Sequence, residues 1–166
     1  MAELTTSERL QPSLIDRLTD DAPGDRSESR DKRVMSMRQL RMAVLRDLEW
    51  LLNANCRPMD DAIHEFPLAA KSVLNYGLPD VTGLTASGIS HTQMESMVRA
   101  AILHFEPRIT GNSLGVRAVQ SALGEAGNAV GFEIAGELCP LPMPEALFVR
   151  TELDLETGRC EVREGE

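Results

Sequence analysis

Near residue 110 the spacing of apolar residues in this chain changes from about 3.6 to two. Before that point, Met37, Leu40, Val44, Leu48 and Leu51 recur at intervals of three and four, with Leu45 and Leu52 widening the stripe. Met94, Met97, Val98, Ala101, Ile102 and Phe105 repeat the pattern. After it, Leu114, Val116 and Ala118 alternate, then Val130, Phe132, Ile134 and Leu138 around Gly136, then Leu147, Val149, Thr151, Leu153 and Leu155. Cys160 to Arg163, behind the turn sequence ETGR, supplies a short fourth strand. Helices first and strands second, without βαβ alternation, predict an α+β fold: N-terminal helices packed on a small antiparallel C-terminal β-sheet. So small a sheet has exposed edges, whose unpaired backbone groups can take up another chain.

Local signals place the element ends. Ser36 and Gln39 have capping-box spacing, so the first long helix is expected over 36–53, about 27 Å long. Arg38, Arg41, Arg46, Asp47 and Glu49 are expected largely outside its apolar stripe. Ser90 and Gln93 repeat the box at the second long helix, and Pro107 disfavours helical geometry at Glu106, which ends it. Between them a short helix is expected near 68–76, with Gly77 as its C-cap. GEAGN (124–128) reads as the first strand turn and CPLPMP (139–144) as a proline-rich connection.

The N-terminal third divides again. Leu14, Ile15 and Leu18 form a one-turn apolar patch on a helix expected to start at Pro12. Residues 19–33 hold Pro, Gly, Ser and charge without an apolar period and read as a linker. Residues 1–33 are therefore expected to be a partner-binding segment with its linker, and 34–166 one domain. Aromatic residues are only 4% of the chain, so the core must be aliphatic.

The net charge of −9 argues against a general nucleic-acid binder. Seven of the 17 basic residues nevertheless fall within residues 26–46, which reads as a basic leader and a solvated helix face. Cys56, Cys139 and Cys160 are widely spaced, and the first residues lack a basic and apolar leader, so a reduced, cytoplasmic protein is expected. No apolar run reaches bilayer-spanning length, so no membrane insertion is expected.

Glycoside hydrolysis needs two carboxylates across a cleft, and Glu106 with Asp80, Glu95 or Asp154 is the pairing available. A nearby Arg108 opposes that use, because a general acid must be held protonated by apolar surroundings. His64, His91 and His104 lack the spacing that puts two ligands on one helix face, and His104 reads as a half-buried helix residue. Nucleophile-elbow, phosphate-loop and dinucleotide patterns are missing, and no cofactor or metal is called for. In Glu106-Pro107-Arg108 the extended chain points residues i and i+2 the same way, so carboxylate and guanidinium project together. They can pair locally at a helix end or form charge-assisted bonds with a partner.

RLQPSLIDRLTDDAP, LRMAVLRDLEWLLNA, SVLNYGLPDVTG and FEPRI together resemble the TssE family, small baseplate subunits of the bacterial type VI secretion system. That family is similar to the gene-25 baseplate wedge proteins of contractile-tailed phages, often labelled lysozyme-like. The resemblance implies a structural, non-enzymatic wedge component in the cytoplasm, in a baseplate docked at the inner membrane complex. Its implied partners are TssF, TssG and TssK, with the hub protein VgrG nearby and the sheath proteins TssB/TssC nucleated through strand exchange at a sheet edge. Glu106, Pro107 and Arg108 match the family's interaction motif, and Leu14, Ile15 and Leu18 are expected to dock on a wedge partner. Arg108→Ala is then expected to weaken assembly and leave the fold nearly intact. A peptidoglycan hydrolase is the alternative.

Overall fold

In the computed structural model, which describes residues 12–19, 23–24, 35–58, 60–82, 90–120, 129–138 and 144–165, helices precede strands as the change of period requires. The helices are α1 (Leu14–Leu18), α2 (Met37–Leu52), α3 (Pro67–Ala70) and α4 (His91–Phe105). The strands β1 (Gly115–Gln120), β2 (Ala129–Leu138), β3 (Glu145–Asp154) and β4 (Cys160–Glu164) form one sheet in that order, each antiparallel to the next. This is an α+β arrangement.

The Ser36 box forms: the Ser36 hydroxyl accepts from the Gln39 N–H at 3.2 Å, and Gln39 Oε1 accepts from the Ser36 N–H at 2.8 Å. From that start α2 buries Leu40, Val44, Leu48 and Leu51, while α4 buries Met94, Val98, Ala101 and Ile102. Both stripes close on the inward residues of β2 and β3, with Phe132, Ile134, Leu147 and Val149 fully covered. Each such side chain contributes about 1.5–3 kcal/mol by leaving water. α2 lies against β4 and α4 against β1, which leaves the loop after α4 beside the middle of α2.

Four local expectations are corrected. Ser90 makes no side-chain cap; the Gln93 N–H bonds the Ser90 carbonyl instead, at 2.9 Å. The helix expected over 68–76 is only α3, flanked by single 3-10 turns at Ala62–Glu65 and Val73–Asn75, because Ser72 accepts from the Leu74 N–H and restarts the chain. Gly77 is no C-cap: at φ +120° it lets the chain pass so close to Ala54 that an added Cβ would lie 2.2 Å from the Ala54 carbonyl oxygen. α1 begins at Leu14 behind the Ser13 N-cap, not at Pro12. The expected turn at 124–128 and nearly all of the linker and of the connection 139–144 lie outside the described residues.

The sheet edges are less open than its size suggests. On β1 the Ala118 N–H donates to Glu95 Oε1 of α4 at 2.7 Å. On β4, Asn53 at the end of α2 accepts from the Cys160 N–H at 2.9 Å and donates to its carbonyl at 2.8 Å. Each flanking helix thus occupies one edge position with a side chain, one way a fold limits unwanted pairing.

Candidate functional site

Proline at 107 ends α4 as expected, and the consequence lies at the residue before it. Glu106 takes φ −121° and ψ 77° while its N–H still closes the last helical bond to Ile102, so its side chain turns inward. Glu106 is only 3% exposed. A carboxylate so placed must be paired, because an isolated buried charge is costly. Arg108 supplies the pairing: its backbone N–H and Nε donate to Glu106 Oε1 at 3.1 and 2.6 Å, and Nη2 donates to Oε2. Residues i and i+2 do project to one side, and that side is the protein's own α2.

There the chain of charges continues. Arg108 Nη2 also donates to Asp47 Oδ2 at 2.5 Å. Asp47 Oδ1 accepts from Arg46 Nε at 2.9 Å, and Arg46 Nη1 donates to Asp16 Oδ1 at 2.7 Å. Asp16 belongs to α1, where its Oδ2 accepts from the Ser13 hydroxyl at 2.6 Å and backbone N–H at 3.2 Å while Ser13 caps the helix in return. Glu106, Arg108, Asp47, Arg46 and Asp16 therefore alternate in sign from the end of α4 across α2 to α1.

The protonation states follow from these contacts. Burial works against the Arg108 charge, but the hydrogen bonds and charge of Glu106, then of Asp47, outweigh it and raise its pKa further. For Asp16, burial pushes upward, while the Ser13 bond and then Arg46 outweigh it and hold the carboxyl below its ordinary value. Burial raises the Tyr76 phenol, and the charges of Asp47 and Glu106 add to the effect.

Beside this ionic chain lies a cleft of about 410 Å³ between α1, α2 and the Glu106–Arg108 loop. Its apolar lining is Leu14, Ile15, Trp50, Leu51, Tyr76, Phe105 and Pro107. The Arg46 guanidinium lies 4.8 Å over the Trp50 ring, and Tyr76 meets Phe105 edge-on at 5.1 Å. Pro107 is exposed at the tip of the loop, and Leu14 and Leu18 of α1 are 73% and 76% exposed.

The structure thus brings Glu106, Pro107, Arg108, Leu14 and Ile15 together around one cleft, whereas Leu18, at the end of α1, does not line it. It does not bring Asp80, Glu95 or Asp154 there. Asp80 accepts from the Thr82 N–H and Asp154 from the Glu156 and Thr157 N–H groups, bonds that lower both carboxyl pKa values, and Glu95 of α4 accepts from the Ala118 N–H of β1. The carboxylate that does share the cleft is Asp47, and Arg108 bridges it to Glu106. A general acid needs a proton to give, whereas both Glu106 oxygens accept from Arg108. His104 is exposed, not half-buried, with Nε2 on the Lys71 carbonyl, and among the described residues no His, Cys, Asp and Glu cluster could hold a metal ion.

Sequence spacing puts Arg46 and Asp47 outside the apolar stripe and gives Asp16 no role in a site. Adjacent opposite charges on the flank of an apolar stripe read as solvated, and the available signal was the Ser13-x-x-Asp16 box spacing. The sequence model of the family described as "Baseplate wedge protein gp25" matches residues 38–139, from the start of α2 to the residue after β2. Asp47 and the Glu106–Arg108 loop are inside that span; α1, β3 and β4 are outside it. No curated protein and no solved structure matches the chain.

Proposed function

The chain belongs to the baseplate wedge protein gp25 family, and from that premise we propose that it is the TssE-type wedge subunit of a type VI secretion baseplate. In that reading it helps assemble the wedge with TssF, TssG and TssK near the VgrG hub, and helps nucleate the TssB/TssC sheath. It acts in the cytoplasm, in a baseplate docked at the inner membrane complex; among the described residues no helix is long and apolar enough to cross a membrane.

The observation that carries the docking reading is the ionic chain. It fixes the Glu106–Arg108 loop and α1 on one side of α2, so exposed Pro107 and Leu14 border a common cleft, with exposed Leu18 at the end of the same helix. Two exposed leucines on a one-turn helix favour contact with an apolar partner surface over contact with water. Residues 1–33 act as the partner-binding segment and its linker, ahead of one gene-25-like domain. A sheet edge offered to the first sheath ring must first release Glu95 from Ala118 on β1 or Asn53 from Cys160 on β4.

Catalysis is not part of this proposal. A peptidoglycan hydrolase working in this cleft would use Asp47 and Glu106, and both are engaged by Arg108.

The test is Leu14→Asp/Leu18→Asp in cells whose sheath carries a fluorescent tag. These surface substitutions leave the fold within about 0.5 kcal/mol of its original stability, so loss of sheath foci supports docking. Normal foci and normal secretion would refute it.

A further inference from the structure

α1 is held to the body in an unusual way. No residue of this five-residue helix is buried, and its leucines are largely exposed, so apolar packing holds it only through the partial cover of Ile15. One turn is far too short to be stable alone. What the rest of the molecule gives it is charge: the side chain of Asp16 is 13% exposed and paired with Arg46, itself stacked on Trp50. Asp16 does this while completing the Ser13 capping box, so the same carboxylate orders the helix and docks it. α1 also leaves much of the neighbouring cleft unfilled, and it lies before the span matched by the family. Between it and α2 run residues 19–36, enough chain to reach about 60 Å when extended.

We infer that the groove formed by Arg46, Trp50 and the Glu106–Arg108 loop is a peptide-binding site for a short acidic helix of the Ser-x-x-Asp kind, whose resident ligand is this chain's own residues 12–18. The arm is a tethered ligand and not an integral part of the fold. Its carboxylate meets Arg46, while Leu14 and Ile15 lie along the apolar wall. Tethering supplies an effective concentration in the millimolar range, so a weak contact suffices to keep the arm seated. A partner that takes Leu14 and Leu18 can then lift it at little cost, uncovering Arg46 and Trp50.

Trp50 is the chain's single tryptophan and reports directly on the groove. The experiment uses the full chain with a site-specific protease sequence placed within residues 25–33. After cleavage and gel filtration the arm is expected to separate while far-UV dichroism of the body is retained, and Trp50 loses protection from acrylamide quenching. A synthetic peptide of residues 9–20 restores that protection saturably. The same peptide with Asp16→Asn binds about fivefold more weakly, the upper range for a partly exposed ion pair. In the uncut chain, Asp16→Asn shifts quenching toward the cleaved form. Co-elution of the cut arm with the body at micromolar concentration would make it an integral element and overturn the inference. So would departure of the arm with Trp50 quenching unchanged, or equal binding by the two peptides. The readout uses the isolated chain, so its outcome is independent of the baseplate reading.

Discussion

Replacing Arg108 with methionine removes the one side chain that pairs with Glu106 among the described residues and leaves similar bulk. The Glu106 side chain is 4% exposed, and both of its oxygens accept from Arg108. Breaking a buried pair by deleting one partner costs about 3–5 kcal/mol, because the other charge stays buried without compensation. Arg108 is itself 25% exposed, so water can reach part of the pair and the lower end, about 3 kcal/mol, applies. With a urea m-value of about 2 kcal/mol/M, the unfolding midpoint falls by about 1.5 M. That is a large share of an ordinary stability of about 5–15 kcal/mol. Urea unfolding followed by Trp50 fluorescence and far-UV dichroism measures it. Glu106→Gln/Arg108→Met should recover part of the loss, with a coupling energy of about 2 kcal/mol between the two sites. A midpoint change below about 0.3 M, or strictly additive single changes, would show that Glu106 does not depend on Arg108. The structure thus revises the expectation that Arg108→Ala leaves the fold nearly intact, and an assembly defect in that variant would mix folding with docking.

Burial pushes the Cys160 thiol up to about 12, so thiol reagents at pH 8 should label Cys56 well before Cys160, as read by peptide mass spectrometry. The folded thiol keeps its proton where the unfolded one loses it, so stability should fall as pH rises from about 9 toward 12, and a flat profile there would contradict the assignment. Gly77→Ala should lower stability by roughly 1–3 kcal/mol from the backbone conformation alone, with the contact to Ala54 adding to it; an unchanged melting temperature would refute the close approach. Asn53→Ala removes both bonds to the Cys160 backbone and should cost about 1–3 kcal/mol, with faster amide exchange at Cys160 as the local check.

What could be read from the sequence was whatever repeats locally. The α2 stripe and its Ser36 box, the stop at Pro107 and the period-two strands each carry their signal within a few residues, and each stands where it was expected. The ionic chain has no such signature. Arg108 meets Asp47 across 61 positions and Arg46 meets Asp16 across 30, and pairs so distant depend on where the core sets the helices. On α2 the same charges sit at the margin of an apolar stripe, where a solvated face is the ordinary reading. The stretch around α3 misled for a different reason. Its Ser72 and Asn75 side chains bond nearby backbone and divide what apolar spacing alone would join into one helix.

Affinity purification of the tagged chain from its native cell tests the central claim most directly, because the two readings predict different companions. A structural wedge subunit brings down TssF, TssG and TssK and releases no cell-wall fragments. Recovery of peptidoglycan fragments without those proteins, with cell-wall cleavage by the purified chain that is lost in Glu106→Gln, would contradict it.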